Sequence, residues 1–394
     1  MNIYEHLGVR TIINAKGPAT RLSGGVMRPD VAKAMADASQ YCMDMAQLQA
    51  AASKVIAQAT GAEAGYVASG ASACLLLATA ACVTGLDPGR MARLPDTAGL
   101  KNQVVMVRSQ RNFYDHAVRA AGVRIIEVGL PDRYSGAGMR DAEAWEIDDA
   151  INESTAAVFY VADEAARPVL AQVIAVAHVR GVPVIVDAAA QLPPQSNLRR
   201  FISEGADLVA FSGGKALGGP QASGILCGRR DLVMAAALQH LDLDIFWEMW
   251  NPPDNLIDKD RLKGLPAHGI GRTCKAGTEE IVGLLTALSL FLEEGDGPRH
   301  GRWLADAKIM ADGLQGISGC TVVLLGEHDI CRVPVVEIRL AQSAQAVLGA
   351  LENAEPPVHA DPFAMDRNII TLNPMCLKPG EAAIVAATIK AVLA

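Results

Sequence analysis

Two short apolar runs, each ending on a residue able to do chemistry, constrain the fold of this chain more than anything else in it. The first is VPVIVDAAAQ, residues 182–191, whose β-branched stretch ends on Asp187. The second is GADLVAFSGGKALGGPQASGIL, residues 205–226, where an apolar stretch ends on Ser212 and a glycine pair leads to Lys215. Glycines bound both, so each reads as a buried strand. In parallel α/β sheets ligands lie outside the carboxyl ends of the strands, which turns the acid and the lysine toward one crevice.

An acid and a lysine delivered this way, twenty-eight positions apart, suit pyridoxal phosphate. The lysine amine forms a Schiff base, and the carboxylate keeps the pyridine nitrogen protonated so that the ring can draw off electrons. Three plainer readings compete. Gly213-Gly214-Lys215 fails as a nucleotide phosphate loop, which needs glycine at Val209 and a hydroxyl residue at Ala216. Gly218-Gly219-Pro220 reads as an ordinary turn, which leaves Lys215 unexplained. Asp187 reads equally as a helix cap on residue type alone.

The surrounding pattern alternates strand and helix. Residues 1–30 read as an arm, and 30–60 as helical with Asp30 as its cap. A strand at 64–68 then runs through Ser69-Gly70-Ala71-Ser72 into a strongly apolar helix. Small residues there let backbone N–H groups and the helix dipole hold a phosphate. Residues 86–101 read as a loop or a cover over the site. Strands follow at 103–109, 123–129 and 156–163. Arg108, Arg111, Tyr114 and His116 lie past the first of these, where one of them is placed to stack on a ring or meet an anion. The alternation predicts a mostly parallel α/β sheet. Residues 244–260 gather aromatic residues and prolines, which fits a lid, a subunit contact or a core corner. Thr278, with Glu279 or Glu280 after it, reads as the cap of a long helix. Beyond it lie strands at 321–325, 333–340 and 368–374 and a last helix. The expected division is an arm, 1–30; a large cofactor-binding domain, 31–265; and a bridging helix with a small α+β domain, 266–394.

Composition narrows the class. A chain of 394 residues with 51% hydrophobic content can bury a large core. The net charge of −8 and the lack of a basic run argue against a nucleic-acid partner. Eight cysteines without a C-x-x-C pair read as free thiols of a cytoplasmic protein. No basic segment followed by a long apolar stretch opens the chain, and no run is apolar enough to predict a membrane span. No metal site is expected.

The block from Val184 through Lys215 to Leu232 resembles the cofactor core of fold-type-I pyridoxal-phosphate enzymes. Within them it is similar to the branch related to bacterial selenocysteine synthase (L-seryl-tRNA selenium transferase), and more narrowly to the D-glucosaminate-6-phosphate ammonia-lyase-like group. The runs TGAEAGYVASGASACLLLA, YDHAVRAAGVRIIEVG and GRTCKAGTEEIVGLL fit the same group. The resemblance implies that Lys215 is the Schiff-base lysine and Asp187 the pyridinium partner. It also implies that Gly70, Ala71, Ser72 and Ser212 surround the cofactor phosphate, with Thr278 reaching the phosphate of a neighbouring subunit. Arg111 and Arg272 are the candidates for the substrate carboxylate. The chain departs from the group in three ways: Gly214 stands where many relatives have histidine, Thr278 lies near where a second lysine is common, and the usual ring-stacking histidine after QVVMVRS is not evident.

What the resemblance implies about function is a lyase of the ammonia-lyase or dehydratase type. It would act on a small hydroxylated amino acid or amino sugar acid and give a 2-keto acid and ammonia. A racemase or epimerase, a transaminase or an aldolase would use the same parts. Selenium transfer to seryl-tRNA is disfavoured by the acidic charge and by a core that begins almost at once, where the tRNA-using enzymes carry an extra N-terminal domain. At least a homodimer is expected.

Overall fold

Alternate residues of the central strands enter two different cores. In strand β6 (Val184–Asp187) Ile185 packs on one side of the sheet and Val184 and Val186 on the other; in β7 (Leu208–Ser212) Leu208 and Ala210 oppose Val209 and Phe211. Strands buried on both faces read as unbroken apolar runs, which is why these two stand out in the sequence. They belong to a computed structural model that describes residues 2–130 and 141–394.

Seven strands form the main sheet: β2 (Ala64–Ala68), β3 (Gln103–Val107), β4 (Arg124–Val128), β5 (Thr155–Val161), β6, β7 and β8 (Gly224–Gly228), after a short β1 (Ile13–Ala15) in the arm. Their order is β2-β8-β7-β6-β5-β3-β4, and only β8 runs against its neighbours. The alanine-rich helix Ala71–Thr84, buried along almost its whole length, lies on one face with helix Arg230–His240; small side chains on both allow close approach. A third core holds β9 (Cys320–Leu325), β10 (Val335–Leu340) and β12 (Ile369–Leu372) as an antiparallel sheet. Beside it β1 pairs in parallel with β11 (Val358–Ala360), so the arm is stitched into C-terminal structure. The fold is that of the α/β, mostly parallel, fold-type-I class.

Several local expectations change. The helical stretch 30–60 is two helices, Pro29–Ala38 and Met45–Thr60, and the capping residue of the first is Arg28; proline fixes the start at its own position, leaving Asp30 in the first turn. Asp44 caps the second through Gln47 N–H at 3.0 Å. Thr278 is the first helical residue rather than a cap: the Gly277 N–H donates to the Glu280 carboxylate at 3.0 Å. That helix stops at Glu294, and Gly295, at φ +71°, turns the chain into a second helix, Asp296–Gly313. Residues 86–101 hold a short helix, Pro88–Arg93, and do not line the cleft described below. In the aromatic segment Trp250 is buried, and Lys259 Nζ sits 4.5 Å from the Trp247 ring centre. The same lysine donates to the carbonyls of Trp247 and Trp250, while Phe246 stays 74% exposed. All eight cysteines are free, and among the described residues no helix is long and apolar enough to cross a membrane.

Candidate active site

The carboxyl ends of β2, β5, β6 and β7 open onto one cleft of about 690 Å³. Asp187, the last residue of β6, and Ser212, the last of β7, both line it, and Lys215 follows in the turn after β7. From β2 the chain passes through Ser69 and Gly70 into helix Ala71–Thr84, and Gly70, Ala71 and Ser72 form another part of the wall. No side chain caps that helix. Its first-turn N–H groups and dipole are therefore available to an anion.

The antiparallel β8 holds the two halves of this wall together. Gly224 pairs with Ala68 on one side and Ser212 on the other. A Cβ at Gly224 would lie 2.4 Å from the Gly70 carbonyl carbon, so only glycine lets the turn come this close. The lysine loop is equally tight. A Cβ at Gly214 would meet Gln221 Cα at 2.6 Å, which explains why no larger residue precedes Lys215 here.

Burial sets the electrostatics. It raises the Asp187 carboxyl above the ordinary aspartate value, opposed by the Ala189 N–H, which donates to Asp187 at 3.0 Å, and by the charge of Lys215. It lowers the Lys215 amine below the ordinary lysine value, opposed by Asp187. The Lys215 amine makes no hydrogen bond or ion pair among the described residues, so it is free to react; the carbonyl of the same residue accepts the Gly218 N–H at 2.9 Å. These are residues that fit pyridoxal phosphate: an uncapped helix end for its phosphate, an acid in need of a positive partner, and a lysine biased toward its nucleophilic form.

The remaining candidates divide. Tyr114 lines the cleft, but its neighbours are engaged elsewhere: Arg111 with Asp115 and Glu127, Arg108 with Glu127 at 2.9 Å, and His116 with Arg119 at 3.0 Å. Arg272 donates to the His240 carbonyl at 2.8 Å and to Asp242 at 3.0 Å, outside the cleft. Thr278 donates to Glu279 at 2.9 Å and likewise lies outside it. Four residues that the sequence reading passed over complete the wall: Thr20 from the arm, Asn112, Gln191 and Gln221. Gln221 donates to the Thr20 carbonyl at 2.9 Å, across 201 residues of sequence. Only the polar residues around Tyr114 carried a local signal.

Behind the Gly70-Ala71-Ser72 turn lies a buried relay. The Tyr66 hydroxyl is 2.8 Å from His240 Nδ1, and His240 Nε2 is 2.9 Å from the Cys274 carbonyl, which also accepts the Ser69 N–H at 3.2 Å. A carbonyl can only accept, so Nε2 carries the proton and Nδ1 accepts from Tyr66. Burial lowers His240 to about 4, which keeps it neutral, and raises the Tyr66 phenol.

Comparison with known proteins agrees with this geometry. The L-seryl-tRNA selenium transferase family model matches residues 113–243. The chain is 30% identical to D-glucosaminate-6-phosphate ammonia lyase of Salmonella typhimurium, over 99% of this chain and 97% of that protein. It is also 30% identical to 5'-C-glycyluridine monooxygenase-decarboxylase of a Streptomyces species, over 97% and 90%. A solved structure of D-glucosaminate-6-phosphate ammonia-lyase superposes with a TM-score of 0.82 at 28% identity, covering 100% of this chain and 98% of that one. With the acid, the lysine and the helix end meeting in one cleft, and a relative matched from end to end, the chain belongs to the D-glucosaminate-6-phosphate ammonia-lyase-like group of the selenocysteine synthase-related, pyridoxal-phosphate-dependent enzymes.

Proposed function

We propose that this protein is a pyridoxal-phosphate-dependent lyase that takes a hydroxylated amino acid or amino sugar acid to a 2-keto acid and ammonia. The observation that carries the reading is the meeting of Asp187 and Lys215 at adjoining strand ends in one cleft, in a chain related over its full length to an ammonia lyase. Bound pyridoxal phosphate supplies an electron sink for the carbanion left when an amino acid loses its α-proton. Lys215 would hold the cofactor through Nζ and, as a free amine, would take the substrate's α-proton at that atom as general base. Asp187 keeps a proton on the ring nitrogen, and in return gains the positive partner that its burial calls for. The N–H groups at Ala71 and Ser72, with the Ser72 and Ser212 hydroxyls, bind the phosphate. Tyr114 is our choice for the residue stacked on the ring. The proton taken from Cα returns to the departing β-hydroxyl, so water leaves as the β C–O bond breaks; the released enamine tautomerises to an imine, which water hydrolyses to ammonia and the keto acid.

The decisive test is the visible spectrum of the purified protein beside Lys215→Ala. A cofactor band present in the first and lost in the second, with keto acid released from D-glucosaminate, D-glucosaminate 6-phosphate or a β-hydroxy amino acid, is the expected result. No band after adding pyridoxal phosphate would overturn the reading. The second relative, named a monooxygenase-decarboxylase, gives a concrete alternative. Oxygen uptake with carbon dioxide release, and no ammonia, would select it. We also propose a homo-oligomer of at least two chains, with Thr278 serving a neighbour's cofactor; sedimentation of the holoenzyme tests the first part.

A further inference from the structure

We propose that a second cavity against Lys215 is an oxyanion site for the acidic end of the substrate, with Arg28 as its available donor. The inference rests on the lyase reading and deepens it, since it makes the substrate an anion held on both sides of the reacting lysine. The cavity is about 90 Å³, bounded by the Gly214–Gly219 loop, by the arm at Gly25–Arg28, and by Glu294, Arg302 and Trp303. Room for a few waters suits a carboxylate or a phosphate, not a whole amino acid. Lys215 is in the wall of both this cavity and the cofactor cleft. A substrate whose amine has taken the place of Lys215 bears its carboxylate one carbon away, so an anion receptor belongs beside this residue.

The charges are unequal. Arg28, Arg299 and Arg302 border the cavity, against Glu294 in its wall and Asp296 behind Arg299, which leaves an excess of one positive charge. Two of the arginines are already committed. Arg299, 1% exposed, donates to Asp296 at 2.8 Å and to the Phe291 carbonyl. Arg302 holds both oxygens of Glu294, at 3.1 and 3.3 Å. Arg28 keeps one 3.8 Å approach to that same carboxylate, too long for a direct hydrogen bond. An oxyanion at this position would offer Arg28 a full-strength partner. Neither Arg111 nor Arg272 reaches a cavity that contains Lys215.

The test uses holoenzyme of the wild type, R28Q, R28K and R21Q. Arg21 is an exposed arm arginine with no ion pair among the described residues, beside Thr20 of the cleft wall, and serves as the control for loss of arm charge. The readouts are the dissociation constants of D-glucosaminate and D-glucosaminate 6-phosphate from the change they cause in the cofactor spectrum, with competition by acetate and by inorganic phosphate. Loss of a charge-assisted contact is expected to weaken substrate binding about tenfold or more in R28Q. R28K should recover part of it, and R21Q should match the wild type. Competition by acetate identifies the anion as the substrate carboxylate; competition by phosphate alone identifies a phosphate. R28Q binding both substrates as tightly as the wild type, or R21Q losing as much as R28Q, would overturn the inference. Absence of the lysine-dependent band in the wild type would instead overturn the lyase reading beneath it.

Discussion

Replacing His240 with phenylalanine should loosen the cofactor's phosphate without touching any residue of the cleft. The histidine lies between Tyr66 and the Cys274 carbonyl, and that carbonyl also fixes the Ser69 N–H just ahead of the phosphate turn. Both side chains are essentially inaccessible, 0% for Tyr66 and 3% for His240. Phenylalanine fills similar space but leaves the Tyr66 hydroxyl buried without an acceptor and removes a second hydrogen bond, a loss of about 2–4 kcal/mol. Acid should act on the same group. His240 is lowered from 6.5 to about 4 in the folded chain. A depressed value means that its contribution is complete above the unfolded value and is lost as pH falls through the folded one. Between pH 7 and pH 5 that amounts to about 2 kcal/mol for this residue. Urea midpoints of wild type and His240→Phe, without cofactor, at the two pH values isolate the term, because every other titrating group is common to both chains. The wild type should lose more stability on acidification than the variant. Dissociation constants of pyridoxal phosphate and of pyridoxal complete the assay: the variant should lose affinity for the first more than for the second, since only the first uses the turn. Equal losses for both would mean that His240 supports the fold generally, and an unchanged midpoint would refute the relay altogether.

Three further outcomes are expected. Gly224→Ala, whose Cβ would lie 2.4 Å from Gly70 and 2.6 Å from the Ala71 nitrogen, should weaken pyridoxal phosphate about tenfold or more with unchanged circular dichroism; unaltered affinity would show that the turn can move. Asp187→Asn should keep the cofactor band but cut turnover by about 100-fold or more, because the ring nitrogen loses its charged partner; near-normal turnover would remove Asp187 from the chemistry. The rate of cofactor uptake by the apoenzyme should rise with pH, since the free amine is the reacting form, and its midpoint should fall below the ordinary lysine value because burial lowers Lys215. A midpoint at about 10.4 or above would contradict that.

Asp187, Lys215 and the Gly70-Ala71-Ser72 turn were legible in the sequence because each is tied to a nearby strand, and strand ends are local features. The sheet's mostly parallel character followed from the alternation of strand and helix. The reversal of β8 did not: five apolar residues look the same in either direction, and only their pairing with β2 and β7 sets it. Thr20 was silent for a related reason, since the arm reaches the cleft only through a contact between distant stretches of chain. Arg111 shows the opposite failure. Its residue type suited a carboxylate, but its partners are Asp115 in the next helix and Glu127 on the neighbouring strand, and register alone brings Glu127 beside it. The break at residues 39–44 was missed because alanine-rich sequence on both sides keeps a helical period through it.

The pairing of β1 with β11 bears on how the protein is made. Ile13 aligns with Val358, so β1 has no strand partner until 345 residues later. At about 5–20 residues per second that is a wait of roughly 20–70 seconds. All seven strands of the main sheet lie between residues 64 and 228 and emerge well before then. Asp187, Lys215 and the Gly70-Ala71-Ser72 turn can thus assemble on the nascent chain before β1 has its partner, when the Gln221 contact holds Thr20. The arm is pinned at β1 only once β11 has emerged, and a chain stalled before residue 358 should hold its cofactor in a looser cleft.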